Sequence, residues 1–176
     1  MASLSADLLD QAEELLTKEK KKPKQANVRR AISTAYYALF HFISDKVTRE
    51  IVGATHDLAH VRAWLGRALV HKTMRSACIC FANPKDKAFV ALASQLKFAT
   101  SVNLASLATA FVELQDLRHQ ADYDLSSPVT RKDAERAVNE VRSAITKWGA
   151  IEVQNPELIQ IFSLSLLNWN NLSKYS

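Results

Sequence analysis

Apolar residues recur along this chain at intervals of three and four, the spacing that gathers side chains on one side of an α-helix. Leu8, Ala12, Leu15 and Leu16 predict a first helix with Ser3 or Ser5 as its cap, ended by a lysine run and Pro23. From about Gln25 to Lys46, Val28, Ile32, Ala35, Tyr36, Leu39 and Ile43 form a stripe of some six turns. The opposite face of that helix carries Arg30, Ser33, Tyr37 and His41. Gly53 interrupts the pattern, and Leu58, Val61, Leu65, Ala68 and Leu69 predict a third helix behind Thr55. Asn83 and Pro84 read as the start of a further helical stretch to about Tyr123. Unbroken, it would be a rod of ~60 Å at 1.5 Å per residue, so a break is expected near Thr100 to Asn103, where polar residues dilute the stripe. Ser126, Ser127 and Pro128 predict a turn, and Thr130 with Asp133 resembles a capping box. Ala134, Ala137, Val138, Val141, Ala144, Ile145 and Trp148 give the cleanest stripe. A last apolar segment with Leu158, Ile159, Phe162, Leu166 and Leu167 follows Asn155 and Pro156.

Composition agrees with an all-α chain. Only 3 glycines and 4 prolines occur in 176 residues, about a third of the usual share, too few for the turns of a sandwich or barrel. No apolar run reaches the ~20 residues of a membrane-spanning helix. The opening MASLSADLL lacks the basic-then-apolar order of a signal peptide, so a soluble protein of the cytoplasm is expected. Cys78 and Cys80 are too few and too close for a disulfide framework, which fits a reducing compartment.

The formal charge is +5, and its distribution changes the picture. Between Lys18 and Arg30 stand seven lysines and arginines against Glu19 alone, a local surplus of six. Such a segment, with Lys20, Lys21 and Lys22 at its centre, can pair with phosphates or can be a solvated inter-helix loop.

Most enzyme chemistries lack their parts. His56 and His60 in HDLAH share a helical face as in the zinc-protease HExxH, but Asp57 stands where glutamate is needed and no third ligand is evident. Cys78 and Cys80 with His71 read either as metal ligands or, more simply, as small buried hydrophobes. Gly53, Gly66 and Gly149 are isolated, so neither a nucleophile elbow nor a phosphate loop is present. No metal and no cofactor is expected. The glycine-serine pair with spaced aspartates of a nucleotidyltransferase is also missing from this chain.

Two segments remain. Arg29-Arg30-Ala-Ile-Ser33-Thr-Ala-Tyr36-Tyr37-Ala-Leu-Phe40-His41 resembles the second-helix signature of HEPN domains (higher eukaryotes and prokaryotes nucleotide-binding). Leu117-Arg118-His-Gln-Ala121-Asp122-Tyr123 resembles the matching end of a later helix in small bacterial HEPN proteins. The resemblance covers roughly Ser5 to Trp148. It implies an up-and-down helical bundle, usually a homodimer with the two motif ends facing each other across a basic cleft. Many members are metal-independent ribonucleases or toxins, often encoded beside a nucleotidyltransferase antitoxin that neutralises them.

The chain departs from that family in one respect. Active members carry arginine, then a polar residue, with histidine after an interval of four to six residues, and counting from Arg118 the eligible positions hold Tyr123, Asp124 and Leu125. Cleaving RNA without metal needs a base for the 2′-hydroxyl and a cation for the phosphorane. Arg118 or Arg30 can be the cation. Tyrosine near pKa ~10 and aspartate near ~3.9 are poor bases, which leaves His41, in register with Arg30, Ser33 and Tyr37, as the substitute or as a packed histidine.

The expectations are therefore a bundle of five to six helices over residues 1–150 and a helical extension over 151–176, packed on the bundle or on a second subunit. The candidate catalytic residues are Arg118, Asp122, Tyr123 and His41. Arg30, Ser33, Tyr37, Lys20, Lys21 and Lys22 are the candidates for nucleic-acid or nucleotide binding. The expected partners are a second copy of the chain, RNA and a separately encoded nucleotidyltransferase, with no membrane. A non-catalytic adaptor or nucleotide-binding module uses the same cleft without a base. In the purely structural alternative, Arg118 and Asp122 are an i, i+4 ion pair, and a cation such as Arg30 faces the acids at the helix end.

Overall fold

The computed structural model describes residues 3–19 and 23–173. Among the described residues there are eight α-helices, one 3-10 turn and no strand. They are α1 (Leu4–Thr17), α2 (Gln25–Val52), the turn His56–Leu58, α3 (Ala59–Gly66), α4 (His71–Ala82), α5 (Lys87–Leu96), α6 (Val102–Tyr123), α7 (Arg131–Gln154) and α8 (Pro156–Leu172). The chain is all-α, and the helix count exceeds the five to six expected. Residues 55–82 are divided between α3 and α4 by a stop that hydrophobic periodicity does not register, and residues 84–123 divide close to the diluted stretch where a break was expected.

The stops have local causes. α2 runs six residues beyond Lys46 and ends at Gly53, whose φ of +99° suits the residue without a Cβ, with its N–H donating to the Arg49 carbonyl at 2.8 Å. Asn83 does not start a helix. It ends α4, and Asp86 caps α5 by accepting from the Ala88 N–H at 2.9 Å. α5 closes on Lys97 in the left-handed conformation, φ +57°, a few residues before the expected break. Ser3, not Ser5, caps α1; buried Ser5 donates to the Ala38 carbonyl at 2.8 Å. Thr130 and Asp133 form the reciprocal capping box, and Asn155 caps α8 by accepting from the Leu158 N–H.

The chain forms two compact units, residues 1–42 with 110–145 and residues 43–109 with 146–176. In the first, the α2 stripe from Val28 to Leu39 is buried with Ala110, Phe111 and Leu114 of α6 and Ala134, Ala137, Val141 and Ala144 of α7. Alanine at so many core positions lets helix backbones approach closely. Gln25 donates to the Val129 carbonyl at 3.1 Å, and Arg142 pairs with Glu13.

The second unit is built differently. Its core is aromatic: Phe81 lies 5.0 Å from Phe162 and 5.5 Å from Phe89 between ring centroids, and Phe162 lies 6.2 Å from Trp148. α8 packs against α4 here, with Leu158, Ile159, Phe162 and Leu166 buried. Lys46 bridges to Glu152 at 2.8 Å, and Lys147 donates to Ser106 at 2.6 Å. No helix among the described residues is long and apolar enough to cross a membrane.

Candidate functional site

The two segments singled out in the sequence meet in the first unit. Ser33 of α2 donates to an Oδ1 of Asp122 on α6, and Arg118, one turn earlier, donates from Nη1 to the Tyr37 hydroxyl at 3.1 Å. Pairing residue 33 with 122 and 37 with 118 fixes the local register: the two helices run antiparallel here, and side chains four apart on each meet in step.

Arg118 is the centre of this arrangement. Its Cζ lies 5.2 Å from the Tyr36 ring centroid and 5.6 Å from that of Tyr37, within cation–π range. Asp122 Oδ2 stands 3.7 Å from Nη1, close enough for attraction and too long for a hydrogen bond. The Arg118 side chain is 12% exposed, and its buried Nε has no hydrogen-bond partner among the described residues. The guanidinium is thus held by two aromatic faces, one hydroxyl and one carboxylate.

Arg29, and not Arg30, serves the acidic end of α6. Its Nη1 donates to the carbonyls of Ala121 at 2.9 Å and Asp124 at 3.1 Å, with a longer contact to Gln120 at 3.4 Å, and Nη2 donates to Ser127 at 2.8 Å. The Ala121 carbonyl is one that a helix C-terminus leaves without an intrahelical donor, at the negative end of the dipole, so a cation there is favoured twice, and Asp124 and Ser127 belong to the turn that follows. Arg30 is exposed, with no ion pair or side-chain hydrogen bond among the described residues. Asp124 accepts from the hydroxyls of Ser126 and Ser127, which hold its carboxyl down at about 2.

The remaining candidates are at the margin. His41 is half-buried, its ring 6.5 Å from that of Tyr37 and 5.4 Å from that of Phe40, and burial holds its pKa below the ordinary 6.5. Tyr123 is 67% exposed, its ring tilted against that of His119 with centroids 4.8 Å apart, and it makes no contact with the Arg118 guanidinium among the described residues. Lys20, Lys21 and Lys22 lie outside the described residues. Within that basic segment Glu19 accepts from Asn27 at 2.8 Å, which lowers its pKa.

An open groove of about 580 Å³ is lined by Glu113, Asp116, Leu117, Gln120 and Arg136, and none of the sequence candidates faces it. Among the described residues no three His, Cys, Asp or Glu side chains converge as metal ligands would. Burial pushes the Cys78 thiol up, and burial with Asp86 beside it pushes Cys80 up to about 12, so neither is a ready thiolate.

Sequence reasoning missed Arg29, although a signal was present. At 100° per residue Arg29 falls about 70° from the centre of the α2 stripe, on the edge of the core, whereas Arg30 falls nearly opposite. Comparison with protein-family models, curated proteins and solved structures returned no match for this chain.

Proposed function

We propose that this chain is a HEPN-like, nucleic-acid-linked protein whose α2–α6 centre is a binding and architectural element, in the manner of a dimeric adaptor or nucleotide-binding module. The observation that carries this reading is the state of Arg118. A cleaving cation must reach a phosphate, and this one is 12% exposed and already engaged by Tyr36, Tyr37 and Asp122. Freeing it would leave the carboxylate of Asp122 with Ser33 as its remaining partner.

One observation favours a second reading, an attenuated metal-independent ribonuclease of toxin or stress type with a separately encoded nucleotidyltransferase as antitoxin. His41 is held below its ordinary pKa by burial, so its imidazole is neutral at pH 7 and able to accept a proton, next to a tyrosine bonded to Arg118. In this reading His41 takes the proton of the 2′-hydroxyl and Arg118 stabilises the phosphorane.

The experiment is incubation of the pure protein with labelled single-stranded RNA in chelator, beside Arg118→Ala, with melting measured on both. The expected result is no cleavage by either and a lower Tm for the variant. Cleavage that survives chelation and disappears in Arg118→Ala at unchanged Tm would overturn the architectural reading. The homodimer belongs to the same proposal, and light scattering giving a monomer mass at micromolar concentration would remove it.

A further inference from the structure

The charge of the molecule is not where its lysine run suggests. The first unit holds twelve lysines and arginines and twelve acids, so the Lys18 to Arg30 surplus is balanced within that unit. The second holds eleven against six and therefore carries the whole net charge of +5. Within it, residues 58–109 contain Arg62, Arg67, Lys72, Arg75, Lys85, Lys87 and Lys97 and a single acid, Asp86, whose carboxylate caps α5.

Most of these cations are uncommitted. Arg67, Lys72, Lys85, Lys87 and Lys97 are exposed, and none has an acidic partner among the described residues. Arg62 is tied to the Gly53 and Thr55 carbonyls. The outward faces are regular. On α3 and its C-cap, His60, Trp64 and Arg67 follow at four and three. On α5 and its C-cap, Lys87, Val90, Ser94 and Lys97 follow at three, four and three. Trp64 is 70% exposed, whereas Trp148 and Trp169 are buried.

We infer that the α3–α5 surface of the second unit is a binding site for single-stranded nucleic acid, with Arg67, Lys72, Lys85, Lys87 and Lys97 along its phosphates and Trp64 as a stacking platform for an unpaired base. Such strands are held without sequence preference by basic side chains and an exposed aromatic face, and α3 to α5 expose both kinds of group. An anionic membrane surface fits less well. An inserting helix turns a broad apolar face outward, but α4 and α5 bury Met74, Ala77, Phe81, Phe89 and Leu92, and the apolar side chains they expose, Ile79 on α4 and Val90 and Leu96 more than a hundred degrees apart on α5, form no such face. This surface shares its class of ligand with the preceding reading and none of its residues.

The test is binding of a labelled single-stranded RNA oligonucleotide over a series of salt concentrations, by wild type, Trp64→Phe, Trp64→Ala, the triple variant Lys85→Gln, Lys87→Gln, Lys97→Gln, and Arg118→Ala. The triple variant is expected to bind more weakly and to flatten the log–log salt dependence by about two, at roughly 0.7 per phosphate contact. Trp64→Ala should lose about ten-fold in affinity at unchanged slope. RNA should quench the fluorescence of wild type and not that of Trp64→Phe. The altered side chains are exposed, so melting should not move. Wild-type binding by the triple variant and by Trp64→Ala would overturn the inference, as would binding to phosphatidylserine vesicles with none to RNA. Loss in Arg118→Ala alone would also overturn it and assign binding to the α2–α6 centre. Loss in the triple variant and in Trp64→Ala, with Arg118→Ala binding as wild type, supports this surface and leaves the architectural reading to its cleavage test.

Discussion

The two units use charge in opposite ways. In the first, most arginines other than Arg30 are absorbed into the structure: Arg29 closes the end of α6, Arg118 sits in a tyrosine cage, Arg131 pairs with Glu135 at 2.8 Å and Arg142 with Glu13. In the second, the core is aromatic, and Arg67, Lys72, Lys85, Lys87 and Lys97 are left facing water. A basic residue spent on a carbonyl or a ring cannot also hold a phosphate. What identifies a binding surface is thus the charge left over once the internal partners are subtracted, which the net charge of a segment does not reveal.

The difference in core chemistry predicts the largest effect. Phe162 is fully buried against Phe81 and Trp148, so Phe162→Ala should cost about 4 kcal/mol and lower Tm by about 10 °C. A thermal or denaturant melt checks it. A loss of 1 kcal/mol or less would show that the aromatic cluster does not hold the second unit.

Next comes the cage. Arg118→Ala removes a cation from two rings and from Asp122, which is only partly exposed, and about 2–3 kcal/mol is expected. The corresponding change on the other surface, Arg67→Ala, should stay within about 0.5 kcal/mol. Equal losses at the two arginines would break the contrast between absorbed and leftover charge.

Arg29→Ala should follow at about 2 kcal/mol, since it strips donors from a helix end that water can partly reach. Arg30→Ala beside it should be close to neutral in a melt. Reversal of the two would mean that the end of α6 is closed by another group.

That neighbouring pair also shows how far the sequence could be read. The buried stripe of α2 was legible residue by residue, because Val28, Ile32, Ala35, Tyr36, Leu39 and Ile43 are all at most 1% exposed and burial is what periodicity reports. The meeting of Ser33 with Asp122 and of Tyr37 with Arg118 was legible as a pairing of segments. The role of Arg29 was not, because its acceptors are backbone carbonyls some ninety residues away, and every residue type has a carbonyl. For the same reason Asp86 lost its place as a cap to Asn83: both are good cap residues, and only the path of the chain chooses between them. The leftover charge of α3 to α5 was scattered over some forty residues, and periodicity does not tell which of those cations the folded chain leaves without partners.

The smallest effect concerns pH and tests whether the first unit tolerates new charge as the second does. His41 is half-buried near Tyr37 and Phe40, and burial lowers its pKa below the ordinary 6.5 that it regains on unfolding. The unfolded chain therefore binds the proton more readily, and stability must rise with pH across that window. The contribution is fully present above about 6.5 and is lost as pH falls through 6.5 toward the folded value. Asp124 and Asp133, held below the ordinary 3.8 by Ser126 with Ser127 and by Thr130, add their own losses only at more acidic pH. Between pH 7 and 5 the Tm of wild type should consequently fall slightly more than that of His41→Phe, by a degree or two at most given the solvent still reaching the ring. Parallel curves for the two proteins would show that folding leaves the proton affinity of the imidazole unchanged, and would remove the burial-lowered pKa that the ribonuclease reading cites.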